Sequence, residues 1–263
     1  MRLEHKPWTV PSSHPRLTSD AVHVWTSSLR ASPAQLGALT ALLSPDEHAR
    51  AAAFQAARHR HRFVVAHGVL RWLLGRYLDV APAAVRFRVG AFGRPDVDQA
   101  CGGISFNLSH CDDMALIAVA QSGAVGVDVE RVDPAIDVRT LSADYLSGEE
   151  QAELSAAPPS EAPLRFTRCW TRKEAYVKAL GVGLSRPLRD FGVLPVAGST
   201  DRLRICPDPT GERPVHVMDL TASRQWAAAL AFPADCVDVE TWRWDHEGEK
   251  EEEEKEEVEG NCN

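Results

Sequence analysis

Trp170-Thr171-Arg172-Lys173-Glu174-Ala175-Tyr176-Val177-Lys178 and Gly126-Val127-Asp128-Val129-Glu130 are the two stretches on which the fold and the chemistry turn. Drawn as a helix, the first places Trp170, Glu174 and Lys178 at successive i, i+4 positions on one face. Read alone, it is an amphipathic helix with a Glu–Lys pair worth a few tenths of a kcal/mol. The second alternates apolar and acidic residues, the period of a strand. Val127 and Val129 therefore point to one side, and Asp128 and Glu130 to the other. Read alone, it is an edge strand facing water. Together, Asp128, Glu130 and Glu174 can make an open oxygen site, which suits Mg²⁺. That ion keeps several waters and takes its remaining ligands from substrate phosphates.

A third segment, Ile104-Ser105-Phe106-Asn107-Leu108-Ser109-His110, alternates apolar with polar. A turn at Cys111-Asp112-Asp113 leads into the apolar run 114–120, so the pair reads as a β-hairpin whose second strand is buried on both faces. Ser109 and His110 end the first strand, where side chains can reach a ligand. His110 on its own reads equally as a turn histidine. Gly93-Arg94-Pro95, just upstream, is a tight turn carrying a guanidinium.

Gly93-Arg94-Pro95, Phe106-Asn107-Leu108-Ser109-His110, the strand at 126–130 and the W-x-x-K-E-A-x-x-K pattern at 170–178 resemble the 4′-phosphopantetheinyl transferases. Their order and intervals are similar to the larger, surfactin-synthetase-activating type, from about Leu43 to about Phe191. The resemblance implies an α+β pseudo-dimer of two similar subdomains with the active site in the cleft between them. The boundary falls near Ser122-Gly123, giving an N-terminal nucleotide-binding side at 1–122 and a metal-binding side at 123–246. It implies transfer of 4′-phosphopantetheine from coenzyme A to a serine of an apo acyl or peptidyl carrier protein, with release of 3′,5′-ADP. Asp128, Glu130 and Glu174 would hold Mg²⁺. Lys178 and Lys173 would neutralise the α/β-phosphates. Ser109, His110, Arg94, Pro95, Arg50 and Arg62 would hold the nucleotide end. Glu47 stands where relatives can have a basic residue, which puts one phosphate contact in question. Glu150 matches a family carboxylate proposed as the base that takes the serine proton. Read from its own surroundings it is a solvated helix residue, and a metal-bound water is the alternative base. A coenzyme A-binding protein without transfer activity and a Mg²⁺-dependent phosphohydrolase remain as other function classes. A built-in pseudo-dimer implies a monomer.

Composition agrees with a folded enzyme. The chain has 263 residues, 44% of them hydrophobic, enough for one large or two small domains. No run is apolar enough to cross a membrane. Residues 1–8 lack the apolar core of a signal peptide. The six cysteines show no C-x-x-C spacing, which argues against a zinc site or a disulfide scaffold and for a reducing cytoplasm. The net charge of −8 is mostly local. Residues 247–263 carry nine Glu against two Lys, which leaves the rest of the chain near neutral. This low-complexity tail is expected to be disordered and to have no catalytic role.

Between Arg50 and Leu78 lie six arginines, three histidines and no acidic residue. Phe63, Val64, Leu70, Leu73, Leu74 and Tyr77 supply the apolar positions of a helix that ends at Asp79 or Pro82. The stretch is short and has little aromatic interleaving, so a wall for a polyanionic small molecule explains it better than nucleic-acid binding. Expected elements are a strand at 22–27, a helix at 33–43, the basic helices, a strand at 85–89, the hairpin and strand 124–130. Helices follow around 138–155 and 163–180, and strands near 191–196, 202–206, 214–220, 225–232 and 237–244.

Overall fold

The computed structural model describes residues 8–89, 95–98, 103–121, 123–181, 186–195, 203–206, 215–220 and 224–245. Arg94 and the acidic tail lie outside the described residues. The chain is mixed helix and sheet. Strand β1 (Ala21–Ser28) leads into helices α1 (Pro33–Ala41), α2 (Pro45–Ala53) and α3 (Ala57–Leu78). The short strands β2 (Phe87–Val89) and β3 (Pro95–Val97) form a separate ribbon, and β4 (Ser105–Cys111) and β5 (Met114–Ala120) form the hairpin. Strand β6 (Gly126–Arg131) opens the second run: α4 (Val138–Tyr145), α5 (Gly148–Ser155) and α6 (Ala162–Leu180). Strands β7 (Gly192–Pro195), β8 (Leu203–Cys206), β9 (Val215–Asp219), β10 (Trp226–Pro233) and β11 (Asp238–Arg243) complete it. Asp79 takes a left-handed conformation (φ 53°) to end α3, and Gly181 (φ 69°) does so for α6.

Two sheets face each other. One has the order β11-β1-β5-β4, the other β6-β10-β9-β8-β7. The two-residue period of the strands decides what each face buries. In β5, Ala115, Ile117 and Val119 pack beneath α3, against Val65, Val69 and Leu73. Leu116, Ala118 and Ala120 turn the other way, into a core shared with Val127, Val129, Leu230 and Phe232 of the second sheet. In β10, Ala229 and Ala231 meet Ala175, Tyr176 and Ala179 of α6. The order of layers is thus α3, first sheet, second sheet, α6. The alternation expected for β6 is present, with both valines in the inter-sheet core.

One element departs from the expected division at residue 122. Strand β11 pairs in parallel with β1, from Ala21↔Asp238 to Thr26↔Arg243. Val237 and Asp238 both donate from their amides to the Asp20 carbonyl. Residues 238–243 therefore complete the first sheet rather than the second. The reason is that β1 offers a free edge whose backbone groups need partners.

The two runs also share a local device. Ser44 caps α2 in a capping box with Glu47, and Ser147 caps α5 in the same way with Glu150. Each glutamate then meets a buried cation on the long helix that follows. Glu47 Oε2 accepts from Arg71, whose guanidinium also donates to the carbonyls of Pro82 and Val85, both at 3.0 Å. Glu150 Oε2 pairs with Lys173 Nζ at 2.6 Å, and that ammonium also donates to the carbonyls of Leu188 (2.7 Å) and Phe191. Each cation lies over an aromatic ring: Arg71 over Phe87 at 5.1 Å and Lys173 over Phe191 at 4.7 Å.

Candidate active site

Strands β4 and β6 run side by side at the edges of the two sheets, joined by a side chain. Asn107 Oδ1 accepts from the Val127 amide at 2.9 Å. Helix α6 lies directly on β6 at Gly126. A Cβ there would collide with the Ala175 carbonyl oxygen and fall 2.5 Å from the Ala179 amide nitrogen. Glycine at 126 with alanine at 175 and 179 therefore lets α6 approach closely. That approach brings Glu174 and Lys178 over the acidic face of β6.

The result is a compact polar group. Lys178 Nζ donates to Asp128 Oδ1 at 2.6 Å and to Ser109 Oγ at 3.1 Å. Ser109 Oγ in turn donates to Asp128 Oδ1 at 2.9 Å. Asp128 is only 3% exposed. Its second oxygen, Oδ2, is buried with no hydrogen-bond partner, and so is Glu174 Oε1. Two orphaned carboxylate oxygens are costly unless a cation or donor meets them. Burial raises the pKa of Glu174, and the Asp128 charge raises it further. Glu130 is raised by the same two causes in the same order. The three carboxylates thus share one field, in which the Lys178 charge offsets only part of their repulsion. Cys111 bonds to Glu130 in this field, and burial followed by the Glu130 charge lifts its thiol to about 11. Cys111, Cys169 and Cys236 are all free thiols. Among the described residues, no three His, Cys, Asp or Glu side chains form a ready-made metal cluster.

A cationic wall borders the carboxylates. His110 is exposed at the end of β4. Its pKa is lowered by loss of hydration first, then by the charges of His67, Lys178 and Arg62. Arg62 is pinned to the β4–β5 turn, 3.0 Å from Asp113 and 3.5 Å from Asp112. Arg50 is exposed and lies over the Phe63 ring at 5.3 Å. The structure therefore gathers Ser109, His110, Asp128, Glu130, Glu174 and Lys178, with Arg62 at the margin. Pro95 is exposed at the start of β3, paired only with Val89.

Two expected participants lie elsewhere. Lys173 and Glu150 are both 0% exposed, and each is saturated by the other and by backbone groups. Burial lowers the Lys173 pKa, against the pull of Glu150. A carboxylate sealed in this way cannot reach a serine hydroxyl, and an ammonium so enclosed cannot reach a phosphate. Glu150 is also far from the solvated helix residue its flanking sequence suggests. Its counterpart Glu47 makes the same cap and the same cation pair in the other half, which marks the arrangement as structural. Trp170, expected on the site face, packs edge-on against Tyr145 at 5.0 Å. Sequence reasoning missed Asn107, Asp113 and His67. Asn107 had a legible signal, as a polar residue in the middle of an alternating strand.

Residues 124–231 match the family model of the 4′-phosphopantetheinyl transferase superfamily. The chain is 38% identical over 186 residues to the 4′-phosphopantetheinyl transferase HetI of Nostoc sp. strain PCC 7120, covering 70% of this chain and 78% of that one. It is 26% identical over 205 residues to a 4′-phosphopantetheinyl transferase of Bacillus subtilis, covering 77% and 88%. It is also 26% identical over 151 residues to the Sfp transferase of Bacillus subtilis strain 168, covering 57% and 66%.

Proposed function

Because the chain belongs to the 4′-phosphopantetheinyl transferase superfamily, we propose that it moves the 4′-phosphopantetheine arm of coenzyme A onto a serine of an apo carrier protein. The observation that carries this reading is the buried Asp128–Ser109–Lys178 group beside the orphaned oxygens of Asp128 and Glu174. The serine oxygen attacks the phosphorus that carries the pantetheine arm, and its proton ends on the departing phosphate. The bond from that phosphorus to the bridging oxygen breaks, and 3′,5′-ADP leaves with the bond's electron pair. Phosphoryl transfer of this kind asks for positioning and charge neutralisation more than covalent help.

The donor set fits magnesium: three carboxylates, two with buried unpartnered oxygens, and all oxygen chemistry. Asp128, Glu130 and Glu174 would hold it. When bound, the ion supplies charge that offsets the pyrophosphate. Lys178 meets a phosphoryl oxygen by loosening its bond to Ser109 while keeping Asp128 oriented. His110 and Arg62 bind the nucleotide end, with Arg50 behind them, and Asp113 fixes the guanidinium of Arg62. Glu150 and Lys173 hold α5 to α6 and take no proton.

The paired devices, Glu47 with Arg71 and Glu150 with Lys173, support a pseudo-dimer with the site between its halves. In that arrangement β11 belongs to the first half by pairing, although it follows the second in sequence. Among the described residues no helix is long and apolar enough to cross a membrane. A monomeric cytoplasmic enzyme that serves polyketide, nonribosomal-peptide or fatty-acid carriers suits these features. The test is to incubate the protein with coenzyme A, Mg²⁺ and an apo carrier, and to weigh the carrier. A phosphopantetheine mass increase is expected. Binding of coenzyme A without a mass increase, or its cleavage without a carrier, would overturn the reading.

A further inference from the structure

We propose that His67 is a second imidazole of the nucleotide site, oriented by Glu47 to contact the phosphomonoester on the ribose of coenzyme A. This rests on the transferase reading above. The starting point is the difference between the two otherwise parallel glutamates. In the second half, Glu150 Oε1 accepts from a backbone amide, that of Val193, at 2.9 Å. In the first half, the corresponding oxygen, Glu47 Oε1, takes His67 Nδ1 at 3.1 Å. A backbone bond would have closed the carboxylate off. An imidazole extends it toward the outside, since His67 keeps 19% of its side-chain exposure.

The ring is held by two contacts, the Glu47 bond and a stack. Phe63, one turn earlier on α3, stacks beneath it with centroids 4.0 Å apart. The same Phe63 ring carries Arg50. Glu47 stays ionised: burial pushes its pKa up, but bonds from His67, the Ser44 amide and Arg71 outweigh that and hold it at about 2. A carboxylate that accepts from Nδ1–H fixes the orientation of the ring and leaves Nε2 to the ligand side, where it donates to a phosphate oxygen once the ring takes up a proton together with the ligand. Among the described residues, no hydrogen-bond partner takes Nε2. His67 lies midway along α3, near enough to His110 that its charge is the first to lower the His110 pKa after loss of hydration.

Glu47, buried between Arg71 and His67, orients the imidazole. The guanidinium of Arg62 is already shared between Asp113 and Asp112, which increases the need for a second uncommitted donor. His110 and His67 together give a doubly anionic phosphate two imidazoles from two elements, α3 and β4.

The test measures binding, so it does not depend on turnover. Calorimetry on the full chain would compare adenosine 3′,5′-bisphosphate with adenosine 5′-monophosphate. Wild-type protein is expected to prefer the bisphosphate. In His67→Gln this preference should fall about ten- to a hundredfold, the loss of one charge-assisted contact, with the monophosphate affinity unchanged. His67→Lys, which places a cation on the same face, should retain the preference. Equal losses for both ligands in His67→Gln, or an unchanged preference, would overturn the assignment. So would a preference lost in a His67→Lys protein that melts at the wild-type temperature. Failure of wild-type transfer to an apo carrier would instead strike the parent reading.

Discussion

Gly126→Ala tests whether the close approach of α6 to β6 builds the site. The new methyl would lie 2.5 Å from the Ala179 nitrogen and overlap the Ala175 carbonyl oxygen, and both are backbone atoms that no rotamer change can remove. Real Cβ contacts essentially never fall below 3.0 Å, so α6 must lift by nearly an ångström to clear the Ala175 carbonyl oxygen. Overpacking of this kind costs roughly 1–3 kcal/mol, which lowers Tm by roughly 3–9 °C in a chain of this size. The larger effect is on rate. Glu174 and Lys178 ride on α6, while Asp128 sits on β6 and Ser109 on β4. The 2.6 Å contact between Lys178 and Asp128 and the spacing of the two orphaned oxygens are therefore disturbed together. A displacement near 1 Å in a positioned site costs on the order of 10²-fold in kcat. The assay is the initial rate of carrier mass increase, paired with thermal unfolding of the same preparation. Near wild-type turnover by a folded Gly126→Ala protein would refute the argument, because the site would then not depend on this approach.

Glu174→Gln and Asp128→Asn should each reduce transfer by ~10²–10³-fold. Glu174→Gln should also leave the metal-free protein as stable as wild type or more so, since the Glu174 pKa is raised by burial and by Asp128; a lower Tm without added metal would contradict this. The sign of the pH effect follows: a raised folded-state pKa favours the fold below the unfolded value and is a penalty above it. Metal-free wild type should therefore gain stability from these carboxylates as pH falls toward their ordinary value of 4.5, and added Mg²⁺ should erase the gain in a denaturant titration. Glu150→Gln should act on stability, losing roughly 3–5 kcal/mol by stranding the buried Lys173 charge, while folded protein at low temperature keeps most of its kcat; selective loss of kcat with normal Tm would restore Glu150 as a base. Glu47, held at about 2, stabilises the fold above the ordinary carboxylate range and loses that contribution as pH falls from near 4.5 toward 2. Acid unfolding followed by circular dichroism should show a smaller loss over this window in Glu47→Gln.

Local pattern reveals what backbone period and side-chain chemistry determine without a partner. The alternation in β4, β5 and β6 was legible because one face of each strand had to be apolar. The Asp128–Glu130 face could be paired with Glu174 because three carboxylates make little sense apart. What stayed hidden depends on which neighbour a charged side chain finds. Lys173 and Lys178 are five residues apart on α6 and look equally available in sequence, yet one is fully enclosed by Glu150 and two carbonyls and the other faces Asp128. A hundred degrees per residue separates them to different sides of the helix, but only the packing of α5 and β7 says which side is closed. Glu150 deceived for the same reason. Its capping-box position is visible in Ser147-Gly148-Glu149-Glu150, and a capping carboxylate is already committed to the Ser147 amide. Ser44-Pro45-Asp46-Glu47 carries the same signature 103 residues earlier. Side by side, the two signatures predict two structural glutamates. The crossing of β11 to β1 had no local signal, because a strand's sequence describes its faces and not its edges, and pairing is settled at the edges.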